Sequence, residues 1–150
     1  MLFVVYSDST RFIIPNWLNG SLILLYPLAV WLSPVAVDWQ MAIAAMLVMF
    51  AIGYVIFALN LMGGGDIKLI TALALWVGWE KLAEFGFLFA LLGGAMSLVI
   101  IIGRKLAPYI ISKSSLPRLL RDKEPVPYGV AIAAAFLWMV ADGKIPMVVL

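Results

Sequence analysis

Two aspartates separated by two apolar passes are the residues of this chain best placed to do chemistry together. Asp66 closes the run Gly63-Gly64-Gly65-Asp66 at the end of one long apolar stretch and opens another; Asp8 lies near the N-terminus, ahead of Arg11, Pro15 and Asn16. A carboxylate at the rim of a membrane span is costly, which makes it a functional-site candidate by default. Two passes return a chain to the side it left, so Asp8 and Asp66 are expected on one membrane face. Carboxyl groups a few ångströms apart cannot both ionise cheaply: one pKa falls, one rises, and the pair shares a proton. One acid can then deprotonate a water while the other protonates the developing oxyanion or the leaving amine, which hydrolyses an amide without His, Cys or metal. Gly63, Gly64 and Gly65 suit such a site because a substrate backbone can approach them closely and because they allow the positive φ of a tight turn.

What the chain lacks points the same way. Without Cys it has no thiol nucleophile, disulfide or zinc ribbon, and without His it has no Ser-His dyad or imidazole metal site. Five Asp, three Glu, six Lys and the hydroxyl groups remain for catalysis, and no metal site or cofactor is expected. A composition 65% hydrophobic and only 12% charged, with a mean hydropathy of +1.11, places the 150 residues in the membrane as one all-α domain of about five to six helices. The net charge of +2 is concentrated in one loop, so it argues for anionic lipid and not for nucleic acid. The oligomeric state is not readable from it. Met1 to Tyr6 has no basic n-region and too short an apolar core for a signal peptide, and it is too short to span.

The elements that must position the pair follow from the apolar runs and their punctuation. Spans are expected over about Trp17 to Val35, kinked at Pro27, and over Trp39 to Leu61, Ile67 to Trp79, Leu82 to Gly103 and Tyr128 to Ala141. The third gives only ~20 Å of helix against a ~30 Å hydrocarbon core. Either it continues past Lys81, or its start lies below the surface, which would put Gly63 to Asp66 in a recess where irregular backbone can line a cavity. Placing the Asp8 loop in the cytoplasm also puts Arg11, Lys68, Arg104, Lys105, Lys113, Arg118, Arg121 and Lys123 there, and leaves only Lys81 and Lys144 outside. That asymmetry orients both aspartates and the loop from Arg104 to Pro127 to the cytoplasmic face of a multi-pass inner-membrane protein. Trp31, Trp39, Trp76 and Trp79 then belong to the outer aromatic belt.

Plainer readings stand beside these. Asp66 sits where an N-cap would, and capping alone accounts for one Asp. Asp8, in Ser7-Asp8-Ser9-Thr10, reads alone as an interfacial loop acid. Lys68 is either a partner for Asp66 or a cytoplasmic anchor. Gly93-Gly94 reads as a close helix contact, and the stretch from Lys113 to Glu124 as a solvated loop. At the level of function, a small transporter subunit with rim acids and a broken helix, or a non-catalytic membrane assembly protein, uses the same features.

Three words in order, Asp8 through Ile14-Pro15-Asn16, Gly63-Gly64-Gly65-Asp66-Ile67-Lys68 and Val126-Pro127-Tyr128-Gly129-Val130-Ala131, resemble the type IV prepilin peptidases, membrane aspartyl proteases of the GxGD kind. The resemblance covers nearly the whole chain and implies that Asp8 and Asp66 are the catalytic pair. It also implies that Pro15, Asn16, Gly63, Gly64, Gly65, Lys68, Pro127, Tyr128 and Gly129 bind substrate or shape the site. The implied substrate is the leader of a pilin precursor with its apolar helix, cut after a Gly at the cytoplasmic face. The chain looks like the small branch serving tight-adherence (Flp-type) pili, since it has neither the cysteine-bearing segment nor the length of the bifunctional members, and no methyltransferase activity is implied. Family members carry a full span before the first Asp; here only Met1 to Ser7 precede it, so a truncated first helix is expected, completed by an upstream apolar segment.

Overall fold

The computed structural model describes residues 1–110, 120 and 126–145. Six helices follow one another, α1 (Leu2–Arg11), α2 (Asn16–Leu32), α3 (Trp39–Ala58), α4 (Gly64–Val77), α5 (Leu82–Ile110) and α6 (Tyr128–Ala141), with no strand among the described residues. Lys113, Arg118, Arg121 and Lys123 of the basic loop lie outside them. α3 and α5 are long and apolar enough to cross a membrane, and α2 and α6 are shorter apolar helices.

The short helix α4 is the hub of the bundle. It packs on α2, α3, α5 and α6, and α6 in turn packs on α1 and α5. Its residues are apolar on every side, and Ile67, Leu69, Ile70, Ala72, Leu73, Ala74, Leu75 and Val77 are all buried, as expected of a helix surrounded by others. The outer helices show large side chains, such as Leu24, Phe50, Phe87 and Val99, on their exposed faces, where a bilayer would meet them.

Local residues explain where the elements stop. Ser33-Pro34 follows α2, and the Asp38 side chain caps α3 by accepting from the Met41 amide at 3.1 Å. α4 ends at Gly78, whose φ of +75° favours glycine, so the third span does not continue through Lys81. Its 14 residues make ~21 Å of helix, and its first-turn residues Gly64, Gly65 and Asp66 line a cleft. α2 runs through Pro27 as one helix, and α5 extends seven residues past Gly103.

The seam between α2 and α4 fixes their relative register. Lys68 Nζ donates to Asn16 Oδ1 at 3.0 Å, and two turns further on Trp76 Nε1 donates to the Leu22 carbonyl at 3.0 Å, so the two helices run in parallel. Trp76 thereby leaves the expected aromatic belt: it is half-buried, edge-on to Tyr26 with ring centroids 5.8 Å apart, while Trp31, Trp39 and Trp79 remain exposed. Of the Gly93-Gly94 pair only Gly93 makes a close contact, since a Cβ there would lie 3.3 Å from the Tyr128 ring whereas one at Gly94 would meet nothing. An unforeseen contact of this kind lies at Gly53, where a Cβ would come within 2.6 Å of Ile67 Cγ2 and push α3 away from α4. At the far end, Lys144 joins Glu84 and Asp142, each at 2.6 Å, tying the end of α6 to the start of α5.

Candidate active site

One end of the bundle opens into a cleft of about 460 Å³ whose wall includes both Asp8 and Asp66. Asp8 is carried by α1, which is too short to span but docks along α6 through the fully buried Val4. Asp8 as a residue is 4% exposed, and its carboxyl sits on the first turn of α6. Helix N-termini leave amide groups without intrahelical partners, and the N-cap of α6 is Pro127, whose side chain can accept nothing. Asp8 fills that role from another helix: its Oδ2 accepts from the Val130 amide at 3.2 Å, and the Gly129 amide also acts on it. Such a place favours the charged form, whereas burial, the larger effect, pushes the Asp8 carboxyl above its ordinary range.

Asp66 stands in the first turn of α4. The N-cap is Gly63, not Asp66, and the carboxyl reaches back toward the Gly63 amide in the manner of a capping box. The capping reading of Asp66 is thus a real part of its geometry. It does not exhaust it, because the same carboxyl also feels the Gly129 amide and the charge of Asp8. Burial first and Asp8 second push Asp66 up to about 7, against the lowering by the Gly63 and Gly129 amides. The charge of Asp8 thus disfavours ionisation of Asp66, and the Gly129 amide acts on both carboxyls.

Glycine is required here at 129 for reasons of space. A Cβ on Gly129 would lie 2.8 Å from Asp8 Oδ2 and 2.8 Å from Ile14 Cδ1. A Cβ on Gly63 would meet Asp66 Oδ2 at 3.0 Å, whereas at Gly64 and Gly65 the nearest atoms, from Phe57 and Ile14, are at ordinary contact distances of 3.4 and 3.5 Å. None of these four glycines has a positive φ, contrary to the tight-turn expectation. The left-handed residue of that connection is Asn60 at φ 55°, and its counterpart between α1 and α2 is Phe12 at φ 54°. Both line the cleft. Non-glycine residues held in this region concentrate at functional sites.

The other expected residues fall in two groups. Gly63, Gly64, Gly65, Asn16, Lys68 and Tyr128 line the cleft with the two aspartates. Lys68 pairs with Asn16 and not with Asp66. Pro15 and Pro127 are N-caps of α2 and α6 and stand behind the wall, as does Gly129. Ile14 and Val126 also line the cleft, and Phe12, Ile13, Asn60, Leu61 and Met62 complete the lining without having been singled out. Asn60 carried a signal, since Asn tolerates the left-handed conformation better than other side chains, but the apolar Phe12 carried none. No group of three His, Cys, Asp or Glu able to hold a metal is present among the described residues.

The model of the type IV leader peptidase family matches residues 1–102, two thirds of the chain and both aspartates. The chain belongs to the type IV leader peptidase family. It is similar to the prepilin leader peptidase/N-methyltransferase of Burkholderia pseudomallei strain 1026b and to that of strain K96243, each 33% identical over 72 residues. The matched segment is 48% of this chain and 19% of each relative's length. No solved structure matches the chain. The start of α6, which supplies the amides to Asp8, lies beyond the residues that the family model covers, so its part in the site comes from the geometry alone.

Proposed function

We propose that the protein is an aspartic endopeptidase that removes the leader of a type IV prepilin, of the Flp class, at the cytoplasmic face of the inner membrane. The observation that carries this reading is the meeting of Asp8 and Asp66 in one cleft of a chain that belongs to a leader peptidase family. Asp8, on the first-turn amides of α6, is the group suited to negative charge; Asp66, pushed up to about 7, is the group suited to hold the proton. With a peptide bond in the cleft, Asp8 takes a proton from water as the water oxygen bonds to the carbonyl carbon. Asp66 gives its proton to the carbonyl oxygen. Collapse of the resulting gem-diol breaks the C–N bond: Asp8 gives the proton it took to the leaving amine nitrogen while a gem-diol hydroxyl returns a proton to Asp66 as the C=O re-forms, so the dyad ends with one proton as it began. The substrate's apolar helix lies in the bilayer against the outer faces of the bundle, while the extended leader enters the cleft past Lys68 and Asn16.

Support for the pilin-leader substrate is the resemblance of the three sequence words, and the Flp class within it is what the comparison of substrates tests. The orientation is supported by the eight-to-two distribution of Lys and Arg. The test is co-expression with an Flp-type prepilin and, separately, with a prepilin of a different type IV class. Shortening of the Flp-type precursor by its leader, with the other left intact, is the expected outcome. Processing of the second precursor alone would move the substrate to another pilin class, and processing of neither would count against the peptidase reading.

A further inference from the structure

The α1–α2 turn reaches into the gap between the two aspartate-bearing segments. Its buried Ile14 touches both sides: the Cβ position of Gly65, next to Asp66, is 3.5 Å from Ile14 Cβ, and that of Gly129 is 2.8 Å from Ile14 Cδ1. Gly129 is the residue whose amide serves both carboxyls. The turn is pinned at its other end, since Ser7 Oγ donates to the Ile13 carbonyl at 2.6 Å and the Phe12 amide donates to the Asp8 carbonyl at 3.0 Å. One branched side chain therefore packs against the neighbour of Asp66 and the shared amide donor, and its backbone is tied to the helix turn that carries Asp8. Neither side can close further, because glycine already stands at both contacts.

We propose that Ile14 is a positioning residue, a spacer that sets the separation of the Asp8 and Asp66 carboxyls. This rests on the two-aspartate reading of the cleft. A spacer rather than a substrate contact is favoured by its burial: 7% of Ile14 is exposed, against 62% of its neighbour Ile13. β-Branching suits the task, since one dominant χ1 rotamer holds the branch fixed without hydrogen bonds. The titratable groups facing the site are Asp8 on α1, Asp66 and Lys68 on α4, and Tyr128 on α6.

The test compares wild type, Ile14→Val and Ile14→Ala in membranes, with prepilin cleavage followed as kcat, KM and the pH dependence of kcat. Ile14→Ala removes the contact with Gly129 and lets the dyad relax; misplacement on the order of 1 Å can cost roughly a hundredfold. The expected result is a fall in kcat of at least roughly tenfold with KM within about twofold. The two apparent pKa values of the kcat profile should also move further apart as the carboxyls, no longer held off by the spacer, couple more strongly. Ile14→Val keeps the branch but lacks Cδ1, the atom that stands against Gly129, and should show a smaller loss of kcat with a pH profile shifted in the same sense. A rise in KM with kcat and pH profile unchanged would overturn the proposal by making Ile14 a substrate contact, as would wild-type behaviour of Ile14→Ala. Should Ile14→Ala fail to insert, Ile14→Val decides alone: an unmoved kcat and pH profile in that variant would equally overturn it. Asp8→Asn and Asp66→Asn, assayed alongside, keep the two claims apart, because cleavage by either would remove the dyad reading whatever Ile14 does.

Discussion

At the residue scale, the site consists of two acids placed at two helix N-termini. Asp66 belongs to the helix it caps, whereas Asp8 is lent to α6 by α1, and the Gly129 amide acts on both. Activity is expected to follow a bell-shaped pH profile. Raising the pH through about 7 removes the proton from Asp66 and with it the general acid; lowering it far enough protonates Asp8 and removes the base. An initial-rate series in buffers of constant ionic strength checks this, and a rate still rising well above pH 8 would contradict it. Gly129→Ala should lose at least roughly tenfold in kcat, since a Cβ 2.8 Å from Asp8 Oδ2 must displace that carboxyl. Gly94→Ala, whose Cβ meets nothing, is the matched control and should cleave like wild type.

At the scale of elements, α4 decides the site because its first turn lines the cleft and α2, α3, α5 and α6 all hold it. Gly53 allows α3 to approach Ile67, the residue after Asp66, within ordinary packing distance. Gly53→Val is expected to cost ~1–3 kcal/mol by overpacking and to lower cleavage as well, because the strain falls next to Asp66. Thermal unfolding in detergent together with the cleavage rate measures both, with Gly86→Ala as the neutral reference. Much of this architecture was legible in the sequence. The shortness of the third apolar run was legible, the Gly63-Gly64-Gly65-Asp66 word at its head does line a cleft, and the boundaries of α6 coincide with its apolar run from Tyr128 to Ala141. What could not be read were contacts between distant segments. Nothing local marks Gly53 as an interhelical contact or Trp76 as a residue turned inward onto Tyr26. Asp8 as the cap of a helix more than a hundred residues away has no local signature either. The turn conformation went the other way from expectation because an Asn and a Phe, not the glycines, take the left-handed positions.

At the scale of the whole molecule, the cleft opens at the end of the bundle where α1 finishes and α2, α4 and α6 begin, and the Lys144, Glu84 and Asp142 cluster marks the opposite end. In the proposed orientation a cysteine introduced at Ser9 should resist an impermeant thiol reagent in intact cells, whereas one at Ser33 should react. The reverse pattern would put the cleft outside. Ser114, the other position suited to this test, lies outside the described residues. The most direct test of the central claim is prepilin cleavage by the purified protein in lipid nanodiscs, in chelator, comparing wild type with Asp8→Asn, Asp66→Asn and the double variant. Asn keeps the shape of Asp and much of its capping ability but cannot hold the shared proton. The account predicts that wild type cleaves undiminished by chelator, that each single variant inserts normally yet releases no leader, and that the double variant is no worse than either, since residues acting as one unit are not additive. Substantial cleavage by either single variant, or loss of wild-type cleavage in chelator, would contradict it.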